Sequence, residues 1–252
     1  FLFSLVLGCQ EVSFRRWLVG ARLSGRRRGS RTLPMSAALS FCTLPPESLR
    51  EASELAAAAF ENSPTYVALC GPCDRAWRLR FLQWFFERNF RIRAGGPVNR
   101  AVFCDGRLVA FFMFVTPDVP DVSLLDMVRA GLLKAPFLFG PGVVRRLLSL
   151  KAQYERIEQE IIAAHGNAPM CRLERMVVRR DAQGMGIGSH ALGLALEEAD
   201  AAGLLVLLST QEERNVRFYS RLGFEVVRTD SHGAYTSWVM LRQPAQDDSG
   251  RT

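Results

Sequence analysis

Three glycines alternate near the end of the stretch Met176-Val177-Val178-Arg179-Arg180-Asp181-Ala182-Gln183-Gly184-Met185-Gly186-Ile187-Gly188-Ser189. An apolar, strand-like run leads into them and an amphipathic helix follows. Glycine lets a ligand approach the main chain closely, and the first N–H groups of a helix have no intrahelical acceptor. With the positive end of the helix dipole behind them, such groups form an anion site. A Walker loop would close on Gly-Lys-Ser/Thr, and Gly186-Ile187-Gly188-Ser189 has no lysine. A G-x-G-x-x-G fingerprint fails on its last interval. The pattern that fits is Gln/Arg-x-x-Gly-x-Gly, met by Gln183, Gly186 and Gly188. The plain alternative is a tight turn with no ligand.

Two further groups could move protons. Asn215 and Tyr219 are four residues apart and share a face on a helix. An ordinary phenol, with a pKa of about 10, keeps its proton at neutral pH, as a general acid must. The alternative for Tyr219 is a core ring beside Phe218 and Phe224. Glu174 lies in the strand-like run before the loop. Strict alternation puts it on one face with Met176 and Val178, opposite Arg175 and Val177. It is either a proton acceptor or an ion-pair partner of Arg172 or Arg175. The histidines (His165, His190, His232) show no metal-binding spacing. Cys70-Gly71-Pro72-Cys73 is a single C-x-x-C without the second pair a zinc site needs, so it reads as two reduced cysteines in a Gly-Pro turn. Thiols left unpaired point to a reducing compartment.

The elements that must position these residues follow from periodicity. Ser36 to Thr43 alternates loosely as an opening strand, broken by Pro45-Pro46. Glu47 to Phe60 is a helix with Leu49, Ala52, Leu55, Ala56 and Ala59 at helical spacing, stopped at Asn62-Ser63-Pro64. Asp74 can cap a second helix whose Trp77, Phe81, Trp84 and Phe85, at three- and four-residue intervals, read as core or as the lining of a substrate pocket. Arg100 to Cys104 and Leu108 to Val115 form a hairpin about Asp105-Gly106. Asp121 to Ala164 is helical, split by Pro136, Gly140, Pro141 and Gly142. Its stretch Leu132 to Phe139 reads as core, or as the wall of an acceptor pocket. Cys171 to Val178 is a strand, Gly186 to Ala201 a helix and Leu204 to Ser209 a buried strand. Glu213 to Leu222 is a short helix, and Phe224 to Arg228 and Tyr235 to Leu241 are closing strands. The order predicts an α/β fold with a mixed central sheet and helices on both faces.

The loop resembles the acetyl-CoA pyrophosphate loop of the GNAT acyltransferases. Asn215-Val216-Arg217-Phe218-Tyr219-Ser220-Arg221-Leu222-Gly223-Phe224 is similar to that superfamily's second motif. His232 to Met240 resembles the closing strand of puromycin N-acetyltransferase-like members, and the N-terminal half matches in element order alone. The resemblance implies an acetyl-CoA-dependent N-acetyltransferase with the GNAT fold. It gives Met176, Val177 and Val178 to the pantetheine arm. It gives Gln183, Gly184, Met185, Gly186, Ile187 and Gly188 to the pyrophosphate, with Ser189 adding a hydroxyl. Asn215 contacts the cofactor, and Tyr219 acts as general acid at the sulfur. Glu174 is the candidate base that takes the proton of the acceptor amine, and His232 can border the acceptor. One departure concerns the acceptor: puromycin acetyltransferase-like sequences tend to carry an acid in the next strand, where this chain has Ser209-Thr210-Gln211. The partners implied are acetyl-CoA and the amine of a small molecule, attacked directly in a ternary complex. A non-catalytic CoA-binding module and an acetyltransferase for protein or peptide amines remain alternatives.

Composition bounds the rest. The chain has 252 residues, 48% hydrophobic and 23% charged, enough for one large α/β domain. Its 32 basic and 25 acidic residues are unevenly placed: seven arginines and one acid precede Met35, leaving 25 against 24. A near-neutral domain has no field to draw in nucleic acid. No apolar run reaches the ~18–20 residues of a membrane span. The organisation read from this is a basic leader over 1–35, a catalytic domain over 36–243 and a polar tail over 244–252. The leader starts apolar and becomes Arg-rich, as an organelle transit sequence does, or precedes a true start at Met35. The expected location is the cytoplasm, or an organelle matrix if the leader is a transit peptide.

Overall fold

From Arg107 to Val115, eight of nine side chains are buried, so this strand is covered on both faces. It is the third of seven. The computed structural model describes residues 38–233 and 235–245; the leader, and the tail from 246 on, lie outside the described residues. In chain order the elements are β1 (Leu39–Thr43), α1 (Leu49–Phe60), α2 (Pro64–Cys70), α3 (Arg75–Ile92), β2 (Asn99–Cys104), β3 (Arg107–Val115), α4 (Leu124–Arg129), α5 (Ala135–Phe139), α6 (Pro141–Ala164), β4 (Met170–Val178), α7 (Ile187–Ala201), β5 (Leu205–Thr210), α8 (Glu213–Ser220), β6 (Glu225–Ser231) and β7 (Thr236–Arg242). The sheet order is β1-β2-β3-β4-β5-β7-β6, and only β4 and β5 run parallel, joined by α7. This is the mixed sheet that the element order predicts.

Each face of the sheet has its own cover. On one, Ile187, Leu192, Ala195 and Leu196 of α7 pack on Phe112, Phe114, Leu173, Val206 and Leu208. On the other, α1 and α3 pack on Phe111, Met113 and Val115, and Ile157 and Ile161 of α6 on Leu205, Leu207 and Val239. The Asp74 carboxylate accepts from Trp77 N at 2.7 Å and caps α3 as the sequence predicts. Apolar rings then recur four residues apart, with Phe81–Phe85 and Phe86–Phe90 stacked at 5.8 and 5.7 Å. Truncating any one of the fully buried Phe81, Phe86 or Phe90 to alanine would cost about 3–5 kcal/mol. The Asp105-Gly106 turn has φ of 48° and 79°, the left-handed pair a two-residue hairpin requires.

Two expectations change. Pro64 does not merely end α1; it opens α2, occupying the first turn, where its missing N–H has no helical partner to lose. The stretch Leu132 to Phe139 is not all core. Phe139 packs on Trp77, Phe81 and Trp84, but Leu133, Phe137 and Leu138 are 55%, 90% and 54% exposed. Alternation of apolar residues says that one face is covered; in this short, Pro- and Gly-broken segment it does not say by how much.

Candidate active site

The site begins where two parallel strands part. β4 and β5 pair only at Met170↔Leu205, Cys171↔Val206 and Arg172↔Leu207. Beyond that, β4 keeps β3 as its neighbour and β5 keeps β7. Along β3–β4, Met113 faces Glu174 while Phe111 faces Val177, so β4 carries one residue more than β3. The extra residue is a β-bulge, with Arg175 at φ 53°, and bulges bend and twist their strand. The bend carries the end of β4 away from β5 and opens the sheet.

The bulge also overturns the alternation argument for Glu174. Leu173, Met176 and Val178 lie on the α7 side, whereas Glu174 is opposite Met113 and Val177 joins the α1–α3 core. Glu174 and Met176 therefore face opposite ways. Its carboxylate meets Arg172 Nε at 3.8 Å through Oε1 and pairs with the Arg175 guanidinium through Oε2. Arg175 is 18% exposed at the side chain and also donates to Met113 Sδ at 3.3 Å. Burial works against its charge, but Glu174 and the Tyr66 hydroxyl outweigh it and hold the guanidinium above its ordinary range. A non-glycine residue in the left-handed region costs about 1–2 kcal/mol, which these contacts help offset.

The loop that follows supplies main-chain donors. Gly184 and Gly186 have φ of 79° and 80°. No backbone N–H from Gln183 to Ser189 donates to an acceptor among the described residues; the first bond of α7 is His190 N to Gly186 O at 3.0 Å. Gln183 folds its side chain back, Nε2 donating to Val178 O at 2.9 Å, which closes the loop onto the end of β4. A Cβ at Gly188 would stand 3.0 Å from Val178 Cγ2 and 3.3 Å from Met176 Cε, so any other residue here would press on both side chains. Ile187 is buried, Met185 packs on the same core, and Gln183, Gly184, Gly186 and Ser189 are exposed. A row of unpartnered N–H groups at a helix start fits a pyrophosphate, so the chain has the donors that CoA requires.

On the far wall, Asn215 Nδ2 donates to Thr210 Oγ1 at 3.1 Å and ties α8 to the end of β5. Tyr219 lies one turn on, its ring against Phe218 and Phe224 at 5.1 and 5.7 Å. Burial pushes its phenol well above the ordinary value, which keeps it protonated. Its hydroxyl makes no hydrogen bond among the described residues, yet it is not sealed off as an orphaned buried atom.

The opposite side holds residues that local spacing did not reveal. The Tyr66 hydroxyl lies at Arg175, with Tyr154 close by, and burial pushes both phenols up. Gln211 Nε2 donates to Tyr154 Oη at 3.2 Å and reaches Ser209 Oγ at 3.5 Å. His232 joins Gln153 of α6 at 3.2 Å and Ser237 Oγ at 2.8 Å, its ring 4.7 Å from that of Tyr235. Arg175 Nε is buried without a hydrogen-bond partner among the described residues. The one available signal was rarity: the chain has four tyrosines, and three are in this cluster. A cavity of about 380 Å³ lies elsewhere, bounded by Cys70, Cys73, Trp77, Phe139 and Arg146, and touches none of the residues above. No three His, Cys, Asp or Glu side chains converge as a metal site among the described residues, and no helix there is long and apolar enough to cross a membrane.

Comparison with known proteins agrees with this geometry. Residues 144–226 match the family model of the acetyltransferase (GNAT) domain, from early α6 through β4, the loop, α7, β5 and α8 into β6. A structure of histone acetyltransferase HPA2 and related acetyltransferase from Corynebacterium glutamicum superposes with a TM-score of 0.57 at 16% identity, covering 83% of this chain and 98% of that one. A putative arylalkylamine N-acetyltransferase 7 from the yellow fever mosquito gives 0.57 at 12% identity, covering 82% and 88%. At such identities the likeness is one of fold.

Proposed function

We propose that the chain is an N-acetyltransferase of the GNAT superfamily, a reading supported by the match of residues 144–226 to the GNAT acetyltransferase domain, and that it moves an acetyl group from acetyl-CoA to a primary amine of a small molecule by direct attack in a ternary complex. The observation that carries this reading is the parting of β4 and β5, with unpartnered N–H groups after the end of β4 and with α8, which carries Asn215 and Tyr219, tied to the end of β5 through Asn215 and Thr210. The main chain from Gln183 to Ser189 would hold the pyrophosphate, β4 from Met176 to Val178 the pantetheine arm, and Asn215 the wall beside it. Acetyl-CoA supplies an acetyl group activated as a thioester.

The chain's own residues do the rest. Tyr219 keeps a proton on its hydroxyl for the departing sulfur, since burial opposes its ionisation. Glu174 takes the proton of the acceptor ammonium, directly or through water. Its Oε1 stands 3.8 Å from Arg172, leaving lone pairs free, while Oε2 stays with Arg175. Two α6 contacts, Gln153 to His232 and Tyr154 to Gln211, tie α6 to the residues just after β6 and β5, and an acceptor side closed by α6 in this way would favour a compact amine over an extended peptide. The domain bounds 36–243 and a cytoplasmic or organelle-matrix location belong to the same proposal.

Thiol release from acetyl-CoA tests it, across a panel of small amines and N-terminal or lysine peptides, alongside calorimetric titration of CoA. Turnover with a small amine is expected. CoA binding with no turnover on any amine would make the chain a binding module, and turnover on peptides alone would move the acceptor to proteins.

A further inference from the structure

The Cys70-Gly71-Pro72-Cys73 turn has no part in acetyl transfer as derived above, and its setting is unlike that of the other cysteines among the described residues. α2 ends at Cys70, Gly71 turns the chain at φ 70°, and Asp74 caps α3 at once. Arg146 of α6 clamps the joint, donating from Nε to Leu69 O at 2.6 Å and from Nη2 to Cys70 O at 2.7 Å. A side chain at Gly71 would stand 3.0 Å from Arg146 Nη2. The turn is thus held in place with both thiols free. The two thiols are separated by two residues of a single tight turn, and both line the same cavity of about 380 Å³. Cys70 is 2% exposed, while Cys73 is only partly covered. By contrast, Cys171 is buried in the α7 core, and Cys42 and Cys104 sit on β1 and β2 in offset registers, opposite Ala101 and Leu39.

We propose that Cys70 and Cys73 are a reversible dithiol–disulfide site, oxidised by a low-molecular-mass disulfide that reaches Cys73 through this cavity. Cys73, the accessible sulfur, gives up its proton and attacks one sulfur of the oxidant. A mixed disulfide forms and one reduced thiol leaves. Cys70 then loses its proton and attacks the Cys73 sulfur, expelling the second thiol and closing the bridge. Two protein thiols lose two protons and two electrons, and the oxidant's single S–S bond becomes two S–H groups.

Burial, with Cys73 adding to it, pushes the Cys70 thiol up to about 12. That slows the second step. It also makes Cys70 a poor leaving group when the bridge is attacked at Cys73, so the bridge is slow to reopen. Equilibrium must therefore be approached from both directions.

The test uses the intact chain in buffer with equal concentrations of oxidised and reduced glutathione, started from fully reduced and from pre-oxidised protein. Peptides spanning the turn are then weighed after alkylation of free thiols. Both starting points should converge on an unalkylated wild-type peptide lighter than the reduced one by about 2 Da, the mass of two hydrogens. Cys70→Ser should stop at the first step, with glutathione retained on Cys73 and a gain of about 305 Da. Cys73→Ser should leave Cys70 as a thiol, because that sulfur is covered. Far-UV circular dichroism of each variant checks that the chain is folded. Free thiols at the turn from both starting points, glutathione lodged on wild-type Cys73 at equilibrium, or Cys70 reacting as readily as Cys73 would each overturn the proposal.

Discussion

On one side of the β4–β5 opening, consecutive residues from Gln183 to Ser189 present main-chain N–H groups, and α8 brings Asn215 and Tyr219 by a single helical turn. On the other, Tyr66, Tyr154, Glu174, Arg175 and His232 arrive from α2, α6, β4 and the end of β6, and work through side chains. A cofactor shared by a whole superfamily can be held by backbone, which any sequence of suitable conformation supplies. An acceptor is told apart by side chains, which must be brought in from a distance. The family match does not follow this division: it covers the loop, α7 and α8, but also Tyr154, Glu174 and Arg175, and leaves out Tyr66 and His232.

The contrast should break first at Tyr219. Tyr219→Phe removes one oxygen from a packed ring, so CoA affinity should hardly change while kcat falls roughly 10²–10⁴-fold. Equal kcat values, with chemistry shown to be rate-limiting by a burst experiment, would reduce Tyr219 to packing.

Glu174→Gln should follow, with kcat/KM down about 10²-fold at pH 7, the low end for a general base, because two guanidiniums already hold this carboxylate. The defect should shrink as pH rises towards the amine's own pKa, about 10.4 for a lysine-like amine and about 8 for an α-amine, where the acceptor arrives neutral. Parallel pH profiles would instead make Glu174 the support of Arg175 at the bulge.

These two residues also mark how far the sequence could be read. Tyr219 was legible because its four-residue spacing from Asn215 survives in a regular helix. The place of Glu174 on β4 is legible, but its facing is not: alternation assumes one residue per pleat, and the bulge at Arg175 inserts another without a glycine to announce it. The hairpin, the α3 cap and the β4–α7–β5 crossover were legible because each rests on local chemistry. Tyr66 and Tyr154 were not, since their contacts span about 90 residues of chain, and no local rule joins α2 to α6.

Gly186→Asp tests the main-chain side. The anion row loses its geometry and gains a negative charge, and loss of the equivalent of one charge-assisted hydrogen bond, ~1.5–3 kcal/mol, predicts roughly 10–150-fold weaker CoA binding by calorimetry. A Cβ at this position meets nothing within 4 Å, but the φ of 80° strains a non-glycine residue by about 1–2 kcal/mol, so the melting temperature of the variant is measured alongside to check that it is folded. Unchanged affinity would remove the loop from the cofactor site.

The smallest effect concerns what keeps α7 in place. Asp200, near its C-terminal end, accepts from Arg242 Nη1 and Nη2 at 2.6 and 2.7 Å and from Ala245 N at 2.9 Å, tying α7 to β7. The arginine and the carboxylate are 13% and 21% exposed. Hydrogen bonds from Arg242 hold the carboxyl below its ordinary value; burial opposes them, and the Ala245 N–H and the arginine's charge assist. A carboxyl depressed in the folded state stabilises above its unfolded pKa of about 3.9, and that stability is lost as pH falls through the lower folded value. Asp200→Asn should therefore cost about 1–2 kcal/mol in urea unfolding at pH 7, with the gap to wild type closing as pH drops below about 4. A gap that stays constant with pH would mean that shape, not charge, is what the asparagine fails to supply. CoA affinity should stay within about twofold, because Ile187, Leu192, Ala195 and Leu196 seat α7 by packing. A larger loss would show that the anion row depends on a side-chain pair at the far end of its helix, and the contrast between a backbone side and a side-chain side would fail where it is strongest.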